Sequence, residues 1–141
     1  MIGFSAGGHM VANISTHFAR RAYARVDAAD DVSCRPDFAV AVYPGHLREH
    51  TTKEFDLNPE IPVSGKTPPT FLLQNEDDNV DGVKQALVYY IALQKAGVPV
   101  EMHLFQHGGH GSALGTGNPQ LSVWPDLLIK WMRERGYAAA P

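Results

Sequence analysis

The sequence predicts an α/β protein built from parallel strands with flanking helices. Two short runs have the character of buried strands: FAVAVYPG (38–45), continuously apolar up to its Pro-Gly stop, and TFLLQNED (70–77), a second candidate with acidic residues at its C-terminal end. They alternate with stretches of helical periodicity at 7–24, 82–97 and 124–136, and such alternation implies crossover connections and a parallel sheet. A third observation is chemical. The distinctive residues, a serine at 5, an acidic run at 76–78 and a glycine/histidine run at 107–111, all fall where strands end, and open parallel sheets bind ligands at that edge.

Each element has its own justification. Met10, Ile14 and Phe18 recur at helical spacing, which predicts the first helix over 7–24. Residues 25–36 are polar, close at Pro36 and read as a loop. Pro44 and Gly45 stop the first apolar run. The stretch 46–69 is polar, carries Pro59, Pro62, Pro68 and Pro69, and reads as a long surface excursion of the kind that lines binding sites. Val83, Ala86, Leu87, Tyr90 and Leu93 share one helical face, with Gly97 at the expected stop. VPVEMHLFQHGGHG (98–111) alternates Val100, Met102 and Leu104 before its glycine/histidine cluster. WPDLLIKWMRERG (124–136) places Pro125 in its first turn and Gly136 at its end, as an amphipathic helix does. The expected order is helix, strand, strand, helix, strand, helix. Only MIGF precedes Ser5, too little to assign a strand there.

Composition narrows the function classes. A chain of 141 residues suits a single domain, 1–141. Its net charge of −3 comes from interspersed acids and bases, so no nucleic-acid or anionic-membrane footprint is expected. No apolar run approaches the ~20 residues of a membrane span. The N-terminus has no basic segment followed by an apolar stretch, so no secretory leader is legible in it. The single cysteine, Cys34, lies in a polar loop without a neighbouring base pattern, which argues against a thiol nucleophile.

The pentapeptide G-F-S-A-G (3–7) has the form G-x-S-x-G, in which the serine sits on a sharp strand-to-helix turn. A hydroxyl is a poor nucleophile at neutral pH and needs a base within reach and a third group to orient that base. Here Ser5 is followed by an acid, Asp78, and then His110, the chain order of α/β-hydrolases. His103, His107 and His110 suggest a metal site only superficially, since no acid or cysteine ligand joins them and a strand would not present all three on one face. His103 reads as a strand residue with a satisfied ring, His107 as a loop residue near the site, and His9 as a packing or supporting residue. Glu76 and Asp77 read as solvated loop, and Tyr43, Tyr89 and Tyr90 as core.

The stretches IGFSAGGHMVA, FAVAVYPG, TPPTFLLQNEDDNV, YYIALQKAGVPVEMHLFQHGGHG and WPDLLIKWMRERG occur in an order that spans nearly the whole chain. In them the chain resembles the C-terminal half of α/β-hydrolase serine esterases of the acetyl-xylan-esterase and feruloyl-esterase-like kind. The resemblance implies a truncated α/β-hydrolase fold with its N-terminal strands absent. It implies Ser5 as nucleophile, His110 as general base, Asp78 as the acid (with Asp77 one residue away as the alternative) and the Ala6 amide as an oxyanion-hole donor. It also implies hydrolysis of short acyl, acetyl-type esters, small-molecule substrates of plant-polysaccharide origin, and no cofactor. The second oxyanion donor would come from a loop such as 46–66 or from another chain. Either a further N-terminal half or homo-oligomer formation is expected to cover the sheet edge. Two rivals stand beside this reading: a catalytically silent α/β binding module, and a serine peptidase of the prolyl-oligopeptidase kind.

Overall fold

A computed structural model describes residues 1–51 and 55–139. Strands β1 (Ile2–Phe4), β2 (Ala39–Val42), β3 (Thr70–Asn75) and β4 (Val100–Phe105) form one parallel sheet in the order β1-β2-β3-β4. Helix α1 (Ala6–His17) follows β1, α2 (Lys84–Lys95) joins β3 to β4, and α3 (Trp124–Glu134) closes the chain. Short 3-10 turns form at Ala28–Asp31 and Leu121–Val123.

The two apolar runs are strands, and every residue of β2 and β3 is buried. Their alternation feeds two cores, because successive side chains leave a strand on opposite faces. Ala39, Ala41 and Leu72 pack with Val11 and Ala12 of α1 and with Val88, Tyr89 and Leu93 of α2. Val40, Val42, Phe71 and Leu73 pack with Trp124, Leu128 and Trp131 of α3. The molecule is thus three layers, with α1 and α2 on one face of the sheet and α3 on the other. Tyr89 is buried in the first core, as expected of it.

Two expectations need correction. A strand does precede Ser5: Ile2, Gly3 and Phe4 pair in register with Val40, Ala41 and Val42. Three residues carry no legible periodicity, and β1 exists because β2 offers it a free edge. Helix α1 ends at His17, short of 24. Residues 19–25 are exposed throughout and have no core face, and without packing, propensity alone does not extend a helix.

The excursion 46–69, of which 52–54 lie outside the described residues, is less free than its polarity suggests. Leu47 and Ile61 are buried in the α1/α2 core. The Gln85 side chain on α2 accepts the Leu47 and Arg48 amides at 2.7 and 2.8 Å. Among the described residues, no helix is long and apolar enough to cross a membrane.

Candidate active site

The carboxyl ends of all four strands open on one rim. Ser5 directly follows β1, Tyr43 follows β2, Asp77 and Asp78 lie just beyond β3, and the loop bearing His107 and His110 follows β4. The strands are aligned, Phe4 opposite Val42 and Val42 opposite Leu73, so residues remote in sequence leave the sheet at one level.

Ser5 occupies the single residue between β1 and α1. Its amide still pairs with Val42 O at 3.0 Å, and its carbonyl accepts the His9 amide at 3.1 Å. Its φ of 53° lies in the left-handed region, a strained conformation for a non-glycine residue. The strain turns the hydroxyl toward the rim, where Oγ lies 2.8 Å from His110 Nε2. On the other side of that ring, Nδ1 lies 2.9 Å from Asp78 Oδ2. A carboxylate only accepts, so Nδ1 carries the proton and Nε2 presents its lone pair to the serine hydroxyl.

Asp78 is wholly buried at its side chain and owes its ease there to donors. Oδ1 accepts the amides of Val80 and Asp81, both at 2.9 Å, and Oδ2 accepts Gln74 Nε2 at 3.1 Å in addition to the imidazole. A buried carboxylate so fully bonded is compensated for lost hydration.

The neighbouring Asp77 does different work. Its Oδ1 accepts the Gly108 and Gly109 amides at 2.9 and 2.7 Å, and its Oδ2 lies 3.4 Å from His107 Nδ1. Those donors, the Gly109 amide foremost, hold its carboxyl below the ordinary aspartate value. Asp77 is therefore tied to the histidine loop, where solvated loop was expected. Asn75 Nδ2 adds two clamps, to Gly109 O at 2.8 Å and Ser112 Oγ at 3.0 Å. Of the two adjacent aspartates, Asp78 meets the imidazole and Asp77 holds the backbone that carries it.

The other histidines separate as their positions suggested. His103, on β4, pairs with Glu101 at 2.8 Å, and the ring of His9 on α1 lies edge-on to His46. Among the described residues, no three His, Cys, Asp or Glu side chains are grouped to hold a metal ion. The Ala6 amide lies in the first turn of α1, where N–H groups lack intrahelical acceptors, beside the serine hydroxyl's own residue.

Besides Asn75 and Asp81, two neighbours of the site carry little signal in the sequence. Gln74 bridges Asp78 and Asp81, donating also to Asp81 O at 2.6 Å. Its local signal is a polar side chain directly after the apolar Phe71–Leu73 of a buried strand. Tyr43, expected in the core, is buried there but also sets its ring 5.2 Å from that of His110 and accepts the Ala113 amide at 3.2 Å. Nothing in its local sequence marks that second contact.

The model of the prolyl oligopeptidase family matches residues 1–136, nearly the whole chain. The chain belongs to the prolyl oligopeptidase family. Its fold is that of the α/β-hydrolases, as the resemblance implied. Among solved structures, this family member is similar to an acetyl ester-xyloside bifunctional hydrolase from Caldicellulosiruptor lactoaceticus, at 35% identity and a TM-score of 0.84 over 98% of this chain and 57% of that one. It is also similar to MGS-M1, an α/β hydrolase enzyme from a Medee basin deep-sea metagenome library, at 30% identity and a TM-score of 0.71, covering 94% of this chain and 52% of that one. Among curated proteins, endo-1,4-beta-xylanase B of Butyrivibrio fibrisolvens is 29% identical over 127 residues, which span 79% of this chain and 20% of the xylanase. The chain thus spans little more than half of the solved relatives and a fifth of the curated one.

Proposed function

We propose that the chain carries a serine carboxylic-ester hydrolase site acting on short-chain, acetyl-type esters, with acetylated plant-polysaccharide fragments as the substrate class. The observation that carries this reading is the line Ser5 Oγ–His110 Nε2, 2.8 Å, and His110 Nδ1–Asp78 Oδ2, 2.9 Å. Such a line supplies what acyl transfer needs: a hydroxyl, a base in contact with it, and an acceptor that orients the base.

Each step follows from an atom already described. Ser5 Oγ attacks the ester carbonyl carbon while its proton passes to His110 Nε2. Asp78 stabilises the imidazolium through Nδ1–H and stays ionised. The Ala6 amide faces the developing oxyanion at the positive end of α1. The tetrahedral intermediate collapses, Nε2–H protonates the departing alkoxide, and an acyl-enzyme remains on Ser5. Water then enters, gives its proton to Nε2 and releases the acid, returning the proton to Ser5. Acyl transfer by these groups calls for no cofactor.

The substrate class draws support from two relatives, one described as an acetyl ester-xyloside hydrolase and the other as a xylanase. A peptidase reading draws support from the family name alone. Hydrolysis of p-nitrophenyl acetate, of acetylated xylo-oligosaccharides and of a peptide anilide, by the wild type and by Ser5→Ala, separates the readings. The expected result is ester turnover that falls by roughly 10⁶-fold in Ser5→Ala, the scale of nucleophile removal in serine hydrolases. Equal rates for the two proteins would leave a silent binding module. An amide cleaved faster than any short ester would favour the peptidase.

A further inference from the structure

A second carboxylate faces the reaction centre. Asp81 Oδ2 lies 4.0 Å from His110 Nε2, the nitrogen that meets Ser5, whereas Asp78 occupies the opposite nitrogen. The Asp81 backbone is held from both sides, its amide donating to Asp78 Oδ1 at 2.9 Å and its carbonyl accepting Gln74 Nε2 at 2.6 Å. Its side chain is 16% exposed, and no described residue donates a hydrogen bond to its carboxylate. The carboxylate rests against Gly45, where a Cβ would stand 2.4–2.6 Å from its atoms and push the side chain out of this position. An ionised carboxylate offers about four acceptor sites. With its backbone fixed at the rim and no donor among the described residues, the Asp81 carboxylate can accept from a bound molecule.

Geometry says what arrives. Nε2 delivers the proton to the leaving alcohol, so the leaving oxygen must come within about 3 Å of it. From that point Asp81 Oδ2, 4.0 Å from Nε2, can be reached by a hydroxyl on the next carbon of the alcohol. We propose that Asp81 reads a hydroxyl vicinal to the scissile ester, so that the site selects monoesters of vicinal diols, as in partly acetylated sugar rings, over esters of simple alcohols. The inference rests on the ester-hydrolase reading above and specifies its alcohol side. The same charge disfavours alcohols that carry a carboxylate beside the ester, because like charges repel across so short a gap.

A hydrogen bond to a charged group is worth a factor of about 10 to 100. The test uses a matched pair, 2-hydroxyethyl acetate and 2-methoxyethyl acetate, in which a methyl group replaces the donor hydrogen, and the Asp81 variants separate loss of the donor from added bulk. The readout is the ratio of their kcat/KM values, followed by acetate release. In the wild type the hydroxyl ester is favoured by at least about 10-fold. In Asp81→Ala the ratio falls to near one. Asp81→Asn keeps the shape and one acceptor oxygen, gives an intermediate ratio, and serves in its place if the alanine variant does not fold. A wild-type ratio near one overturns the proposal, as does a ratio that Asp81→Ala and Asp81→Asn leave unchanged while both esters slow together. A wild type that cleaves neither ester nor p-nitrophenyl acetate removes the hydrolase reading itself. One that cleaves p-nitrophenyl acetate with a ratio indifferent to residue 81 removes this inference alone.

Discussion

The two glycines of G-F-S-A-G look equivalent in the sequence and are unlike in the fold. A Cβ on Gly3 would stand 2.2 Å from Gly7 O, 2.4 Å from Gly7 C and 2.8 Å from Val11 Cγ2. Two of those atoms are backbone, so no side-chain rotation relieves the clash. Restoring the first contact to the ordinary 3.4 Å requires β1 and α1 to separate by about 1.2 Å. Overpacking of this kind costs roughly 1–3 kcal/mol. The displacement also falls on Ser5, which joins the two elements. Its 2.8 Å contact with His110 Nε2 would stretch toward about 4 Å, beyond hydrogen-bond range. A misplacement of about 1 Å at a reacting group costs on the order of 10²-fold in rate. Gly7 is the control: a Cβ there meets nothing within 4 Å, and it stands inside α1. Alanine at position 7 is expected to stabilise by roughly 0.5–1 kcal/mol, through the lost backbone freedom of the unfolded chain. Urea unfolding followed by tryptophan fluorescence measures the stabilities, and p-nitrophenyl acetate kcat/KM measures the site. Gly3→Ala with wild-type midpoint and wild-type kcat/KM would refute the reasoning. So would a Gly7→Ala protein as damaged as Gly3→Ala.

Two further outcomes test other parts of the structure. Because Asp77 has its carboxyl lowered from 3.8 by the Gly109 and Gly108 amides, its contribution is complete above that ordinary value and is lost as pH falls through the lower, folded one. Exchange protection of the Gly108 and Gly109 amides should therefore drop in that acid window in the wild type, and Asp77→Asn should lack the step; an identical acid profile in both proteins would show that the carboxylate does not hold the loop. Trp131 is 1% exposed, with its ring 5.7 Å from Phe71 and 6.0 Å from Phe38, so Trp131→Ala should cost about 3–5 kcal/mol by urea denaturation, and a loss under 1 kcal/mol would mean that α3 is not anchored there.

Much of the fold was legible because burial leaves a local mark. Residues 39–42 are apolar without a break and 71–73 form an apolar centre in β3, since helices cover both faces of the sheet, and that pattern can be read without neighbours. The helix at 124–134 carries its buried face in its spacing. Helix α2 turns a somewhat different face inward than expected: Gln85, Val88 and Tyr89 are buried with Ala86 and Leu93, and Val83, Leu87 and Tyr90 are only half-buried. Strand β1 was not legible, since three residues show no period and its pairing belongs to β2 as much as to itself. The end of α1 differs for the opposite reason: residues 18–24 suit a helix, but 19–25 have no core face, and Arg21 and Tyr23 pair with Asp30 instead.

The chain's own order of residues marked the candidate groups: a serine in G-F-S-A-G, an acidic pair and a glycine-flanked histidine. Tertiary structure alone decided how those groups divide the work. It gave Asp78 to the imidazole and Asp77 to the loop, turned Asp81 toward Nε2, and made Gly3 indispensable while sparing Gly7. Such distinctions depend on distances across a parallel sheet, whose strands are aligned by backbone pairing and crossover helices, and no short stretch of sequence encodes a distance to a residue a hundred positions away.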